Sequence, residues 1–89
     1  MSPESVQRKK KQVPFNNVTI DLLREYSDGD KSLCIEGYGE VLITECKMII
    51  LVYDQMNEVE QKRIRVNLDN KASFDNIKSY CIKKVCQTV

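Results

Sequence analysis

The sequence predicts an α+β fold in which a small antiparallel sheet of four to five strands packs on one C-terminal helix. Three observations lead to this class. Short apolar segments, several of them alternating with polar residues, recur between positions 32 and 68, as they do in buried or half-buried strands. Glycine and polar turn residues separate those segments. After position 73 the apolar residues adopt a spacing of three or four, which is typical of an amphipathic helix.

The 89 residues have room for one domain, preceded by a polar tail. We expect residues 1–13 to be a disordered basic tail, because they cannot bury enough apolar surface to offset the entropy of ordering. Residues 14–89 form the single predicted domain. The basic cluster Arg8, Lys9, Lys10 and Lys11 suits a nucleic-acid contact or a nuclear import signal.

The first element of the domain, Val18–Tyr26, fits two patterns. Val18, Ile20 and Leu22 alternate with polar residues as in a strand. Leu22, Leu23 and Tyr26 also fit a short helix with Asn17 as its N-cap. The β-branched residues at its start favour the strand.

Four further segments are predicted as strands. Ser32–Ile35 is short and is followed by a bend at Gly37-Tyr38-Gly39, where glycine allows conformations that other residues resist. Glu40–Glu45 alternates, Met48–Tyr53 is continuously apolar like a central strand, and Arg63–Leu68 alternates most regularly. The polar residues around position 57 are predicted to form a loop.

The C-terminal helix is predicted over Ser73–Thr88, with Asp69, Asn70 or Ser73 as its cap. Its apolar stripe and the inward residues of the predicted strands define an expected core. That core comprises Leu33, Ile35, Val41, Ile43, Ile49, Leu51, Ile64, Val66, Leu68, Phe74, Ile77, Cys81 and Val85.

The net charge of +1 conceals three blocks of opposite sign. Residues 1–20 carry a net charge of +3, residues 21–60 carry −7, and residues 61–89 carry +5. This asymmetry indicates oriented contact with a charged partner or association of unlike faces. Mutual neutralisation of the blocks within the fold is the alternative.

The residue types argue against catalysis and against a metal site. The chain has no histidine, and no nucleophile lies in a glycine-rich elbow. Its four cysteines contain no closely spaced pair of the kind that holds zinc. Residues 1–13 lack the apolar stretch of a secretory signal. We therefore expect a non-enzymatic protein of the nucleus or cytoplasm, not secreted, with free thiols and without metal, cofactor or small-molecule substrate.

One segment resembles a known family. Residues 39–50, GEVLITECKMII, resemble the strand pair G-x-L-x-I-T-x-x-R/K of GRAM and other pleckstrin-homology-like domains. That resemblance implies a module that binds phosphoinositides or proteins. Two alternative resemblances lead to different folds. Residues 48–85 look like the opening hairpin and helix of a ubiquitin-like roll, and a helical Val18–Tyr26 would give the element order of the small RNA-binding subunits of the signal recognition particle.

The functional prediction is a protein–protein interaction module, a small subunit of a larger complex that contacts a hetero- or homo-oligomeric partner. The expected partner-binding residues are basic and lie on the last strand and the helix: Arg63, Arg65, Lys78, Lys83 and Lys84. The alternative is a nucleic-acid-binding accessory protein that uses the tail and the lysine-rich helix. Without the tail, however, the body has a net charge of −2. A membrane lipid is a less favoured ligand than either a protein partner or a nucleic acid.

Overall fold

A computed structural model describes residues 12–87 and has the predicted α+β class. The described residues form four α-helices and a three-stranded sheet, instead of one helix and four to five strands. In chain order the elements are β1 (Gln12–Val13), a 3-10 turn (Phe15–Asn17), α1 (Ile20–Ser27), β2 (Leu33–Ile35), β3 (Gly39–Val41), α2 (Ile43–Asp54), α3 (Glu58–Asn67) and α4 (Lys71–Gln87). The basic cluster of residues 8–11 lies outside the described residues.

The sheet has the order β1-β2-β3. β1 runs parallel to β2 and pairs Gln12 with Cys34, so that two residues of the segment predicted as a tail belong to the sheet. β2 and β3 form an antiparallel hairpin. Its turn needs positive φ angles at Gly37 (80°) and Gly39 (126°), which glycine adopts without steric cost.

The strand preference for Val18–Tyr26 is wrong, because α1 occupies Ile20–Ser27. Thr19 is the N-cap in place of Asn17, and its Oγ1 accepts a 3.1 Å hydrogen bond from the Leu22 N–H. The β-branched Val18 and Thr19 therefore lie before the helix, where they cost it nothing.

The strand prediction for Met48–Tyr53 is also wrong, since these residues belong to α2. A short apolar run fits a buried helix as well as a buried strand. The buried Cys46, Ile49 and Tyr53 are spaced three and four apart on one face of α2, whereas Leu51 is 50% exposed. The predicted strand Glu40–Glu45 accordingly ends at Val41, and α2 begins two residues later.

The strand prediction for Arg63–Leu68 is wrong for a related reason. Ile64 and Leu68 are four residues apart, so both face the core from one side of α3, while Val66 between them is exposed. The predicted loop is the start of the helix. Asn57 and Glu60 cap each other's backbone N–H groups, at 2.9 Å from Glu60 N and 3.4 Å from Asn57 N.

The C-terminal helix is confirmed as α4, which extends from Lys71 to Gln87. Asn70 provides the cap, because its Oδ1 accepts a 3.0 Å hydrogen bond from the Ser73 N–H. The predicted last residue, Thr88, lies outside the described part of the chain.

The core lies around α2, which packs on α1 and α4. Predicted core residues that are buried are Leu33, Ile35, Val41, Ile49, Ile64, Leu68, Phe74 and Cys81. Ile77 and Val85 are half-buried against this core, and Ile43 is half-buried. The prediction is wrong for Leu51 and Val66, which are exposed because a helix turns them away from their predicted strand face. Within residues 12–87, no helix is long and apolar enough to cross a lipid bilayer.

Candidate functional site

Helix α3 presents apolar residues on two opposite sides. Ile64 and Leu68 are buried against the core. Val59 and Val66, which lie two helical turns apart, point the other way and are 70% and 61% exposed. An amphipathic helix that needs only to cover its own core has a polar outer side, so the second stripe is unexplained by the fold.

Two basic residues flank the exposed valines. At about 100° per residue, Lys62 and Arg63 lie on either side of the line from Val59 to Val66. Both are exposed. The ion pairs between residues of the described range 12–87 join Arg24 with Asp54 and Lys78 with Glu45, and none involves Lys62 or Arg63. We call these four residues, Val59, Lys62, Arg63 and Val66, the outer face of α3.

The orientation of α3 is fixed by hydrogen bonds to the end of α2. Gln61 Nε2 donates to the Tyr53 carbonyl oxygen at 2.9 Å, and Arg65 Nη1 donates to the Tyr53 hydroxyl at 2.7 Å. Together with the buried Ile64 and Leu68, these contacts hold α3 in one position on the body. The outer face is therefore preformed, which reduces the entropy lost when a partner binds.

Arg63 and Arg65 were predicted to share the outward side of a strand. In a helix, residues two apart point about 200° away from each other, so the structure separates them. Arg63 belongs to the outer face of α3, whereas Arg65 reaches back to Tyr53. The two valines of the outer face were missed, although their seven-residue spacing is visible in the sequence.

The three predicted lysines of α4 lie in different surroundings. Lys78 is half-buried, with its Nζ 4.0 Å from Glu45 Oε2 and 4.9 Å from the centre of the Tyr38 ring. Burial opposes its charged form, but the nearby Tyr38 hydroxyl and the charge of Glu45 raise the pKa of Lys78. Lys83 and Lys84 are exposed near the helix end. The five predicted partner-binding residues therefore do not form one cluster.

A shallow cleft lies where α1, α2 and α3 meet, with a volume of about 290 Å³. Its lining includes the basic Arg24 and Arg65 and the apolar Ile20 and Leu68. Arg24 forms a bidentate pair with Asp54, at 2.9 and 3.1 Å. The carboxylate raises the pKa of Arg24, and the guanidinium lowers the pKa of Asp54. Because its charge is already compensated, this arginine has little attraction left for an added anion.

The buried thiols are poorly suited to chemistry. Burial raises the pKa of both Cys46 and Cys81 to about 11, so the nucleophilic thiolate is scarce at neutral pH. All four cysteines are free. Between Gln12 and Gln87, no three acidic or cysteine side chains are grouped closely enough to hold a metal ion.

No family model, curated protein or solved structure matches the chain. What the molecule can do must therefore be inferred from its side chains. The outer face of α3 offers two aliphatic groups and two cationic donors on a rigid helix, and this combination fits an apolar surface that also carries negative charge.

Proposed function

We propose that the protein is a non-catalytic protein–protein interaction module, a small subunit of a larger complex, and that it docks through the outer face of α3. One observation carries this proposal: Val59 and Val66 are 70% and 61% exposed on a helix whose opposite side already fills the core. The two valines are aligned along the helix between Lys62 and Arg63, and interaction surfaces commonly combine apolar groups with a charged rim.

Burial of Val59 and Val66 under a partner would be energetically favourable. Full burial of a valine side chain contributes about 1.5 kcal/mol or more, so covering two gives a useful part of a binding free energy. Lys62 and Arg63 would raise the association rate and orient the partner more than they would raise the affinity. Exposed charges steer the encounter of two molecules and fix the register of the complex.

The partner that fits this face is an amphipathic helix with acidic flanks. Its apolar side chains would recur at seven-residue intervals, matching the spacing from Val59 to Val66. Its acidic residues would lie beside Lys62 and Arg63. Helix-on-helix packing of this kind aligns a few apolar anchors on one face of each helix.

The first experiment is a fluorescence anisotropy titration of the full chain with a designed helical peptide. The peptide carries leucines seven residues apart, surrounded by glutamates, and a control peptide replaces every glutamate with lysine. We expect saturable binding of the acidic peptide and none of the control. Equal binding of both peptides, or of neither, would contradict the proposal.

Paired variants separate apolar docking from charge attraction alone. The double substitution Val59→Ser and Val66→Ser leaves the net charge unchanged and should weaken binding of the acidic peptide by about tenfold or more. Leu51→Ser is the control, because Leu51 is also an exposed aliphatic residue, at 50%, but lies on α2. If the control weakens binding as much, the outer face of α3 is not the docking site.

Nucleic-acid binding is the second candidate, favoured by the exposed Lys83 and Lys84 at the end of α4. A salt titration with a labelled RNA or DNA oligonucleotide tests it, because phosphate contacts make affinity fall steeply with salt. Neutralising residues 8–11 together with Lys83 and Lys84 should then flatten the salt dependence. A steep slope that these substitutions reduce would favour this function over the protein module.

A further inference from the structure

β1 is attached to the outer edge of the β2–β3 hairpin. In the described chain its pairing with β2 consists of Gln12 with Cys34 and Val13 with Ile35. The Glu36 N–H donates a further 2.9 Å hydrogen bond to the Val13 carbonyl oxygen. An edge strand offers unpaired backbone groups to any extended segment, and here β2 receives the chain's own N-terminal segment.

Phe15 follows β1 and inserts into an aromatic socket. Its ring centre lies 5.8 Å from that of Tyr38 and 5.9 Å from that of Phe74, both in edge-to-face arrangements. Tyr38 is held in place independently of Phe15, because its hydroxyl donates a 2.6 Å hydrogen bond to Asp75 Oδ1. We call Tyr38 and Phe74, with the Asp75 contact that fixes Tyr38, the Phe15 socket.

With the segment in place, the surface beneath it is almost completely buried, whereas the segment itself stays partly exposed to solvent. Leu33, Ile35 and Phe74 are almost completely buried. In the segment Gln12–Phe15, the first residue is exposed and the others are half-buried. Segments with few buried contacts open at a lower free-energy cost than the whole domain. Departure of the segment would uncover the ring of Phe74 and the edge of β2, but it would leave the packing of α2 on α1 and α4 in place.

We propose that the outer edge of β2 and the Phe15 socket together form a binding site for an extended peptide, which Val13-Pro14-Phe15 fills in this structure. The ligand that replaces the resident segment is an extended segment of a partner protein, with an aliphatic residue, a proline and an aromatic residue in succession. Strand addition supplies backbone hydrogen bonds, and the socket selects the aromatic side chain. This site is independent of the outer face of α3.

Each feature of the resident segment defines part of the ligand. The carbonyl of residue 13 accepts the hydrogen bond from Glu36, which requires an extended backbone there. Pro14 is extended, at φ −70° and ψ 153°, and has no N–H to be left unpaired where the strand ends. The ring of Phe15 contributes the aromatic contacts, which are worth more than area burial alone.

The test uses the full chain and a labelled peptide with the sequence of residues 10–18. In the wild type, the resident segment competes at high effective concentration and keeps the apparent affinity low. The substitution Phe15→Ala in the chain weakens that competitor. We expect the variant to bind the peptide at least about tenfold more tightly than the wild type. A peptide in which Phe15 is alanine should bind at least about tenfold more weakly to the same variant.

Amide chemical shifts locate the bound peptide. We expect peptide-induced shifts at Cys34, Glu36 and Tyr38, with α3 unchanged. Equal affinities for both chains, equal binding of both peptides, or shifts confined to α3 would overturn the proposal. If circular dichroism finds Phe15→Ala unfolded, Phe15→Leu keeps apolar volume but loses the aromatic contacts, and the same affinity order must hold for it.

Discussion

The hydroxyl of Tyr38 donates a 2.6 Å hydrogen bond to Asp75 Oδ1, which joins the β2–β3 turn to the first turns of α4. The two residues are 37 positions apart in the sequence. The ring of Tyr38 also contacts Phe74 edge to face at 5.3 Å, and Lys78 Nζ lies 4.9 Å from its centre. The turn between β2 and β3 is in this way fixed to the helical layer by the side chain of Tyr38.

Removal of this hydrogen bond should destabilise the domain measurably. Tyr38→Phe keeps the ring and its aromatic contacts but leaves Asp75 without its donor. We expect a loss of about 1–2 kcal/mol in the free energy of unfolding, since the acceptor is charged. Urea denaturation followed by circular dichroism measures it. Tyr26→Phe is the control, and an unchanged midpoint for Tyr38→Phe would show that the contact contributes nothing in solution.

The helical assignment of α2 makes opposite predictions for two neighbouring residues. Ile49→Ala should cost about 2–5 kcal/mol, because Ile49 is fully buried. Leu51→Ala should change stability by less than about 0.5 kcal/mol, because Leu51 is half exposed. A strand would have placed both residues on one face, with comparable losses. Chemical denaturation of the two variants distinguishes these arrangements.

The thiols should fall into two reactivity classes. With a pKa raised to about 11 by burial, Cys46 and Cys81 should alkylate slowly in the native protein at pH 7.5. The exposed Cys86 should react fastest. Timed alkylation with peptide mass spectrometry follows each site. In denaturant the four rates should converge, and fast native labelling of Cys46 would contradict the packing of α2 against α4.

The Arg24–Asp54 pair should contribute to stability in a pH-dependent way. Because Arg24 lowers the pKa of Asp54, its contribution is present above the unfolded-state pKa of aspartate, about 3.9, and is lost as the pH falls through the lower folded value. A double-mutant cycle with Arg24→Gln and Asp54→Asn, measured in urea at pH 7 and pH 2.5, isolates the coupling. We expect the coupling to be favourable at pH 7, weaker at pH 2.5, and reduced by salt because both side chains are exposed. The same coupling at both pH values would refute this assignment.

The sequence correctly predicted the elements in which the spacing of apolar residues fits only one kind of secondary structure. The stripe that includes Phe74 and Cys81 repeats over several turns and correctly indicated α4. In α3, Ile64, Val66 and Leu68 satisfy a strand period of two, and two of them also satisfy a helix period of four. The reciprocal caps of Asn57 and Glu60 were the local signal that decides between these periods.

The candidate sites were less accessible to sequence reasoning than the core. The outer face of α3 follows from the helical period, so the strand assignment removed it and placed Arg63 beside Arg65. The Phe15 socket depends on contacts among Phe15, Tyr38 and Phe74, which are distant in the chain. Nothing in the local pattern around Gly37 and Gly39 encodes such a contact, because it arises only when the layers pack.

The three-ring arrangement has a consequence for protein synthesis. Phe15 leaves the ribosome early, whereas Phe74, the ring on which it rests, is added nearly sixty residues later. The ring of Phe15 therefore has no Phe74 to pack against until α4 has been synthesised. Until then the three-ring contact cannot form, so the attachment of Phe15 to the body is a late event in the folding of the nascent chain.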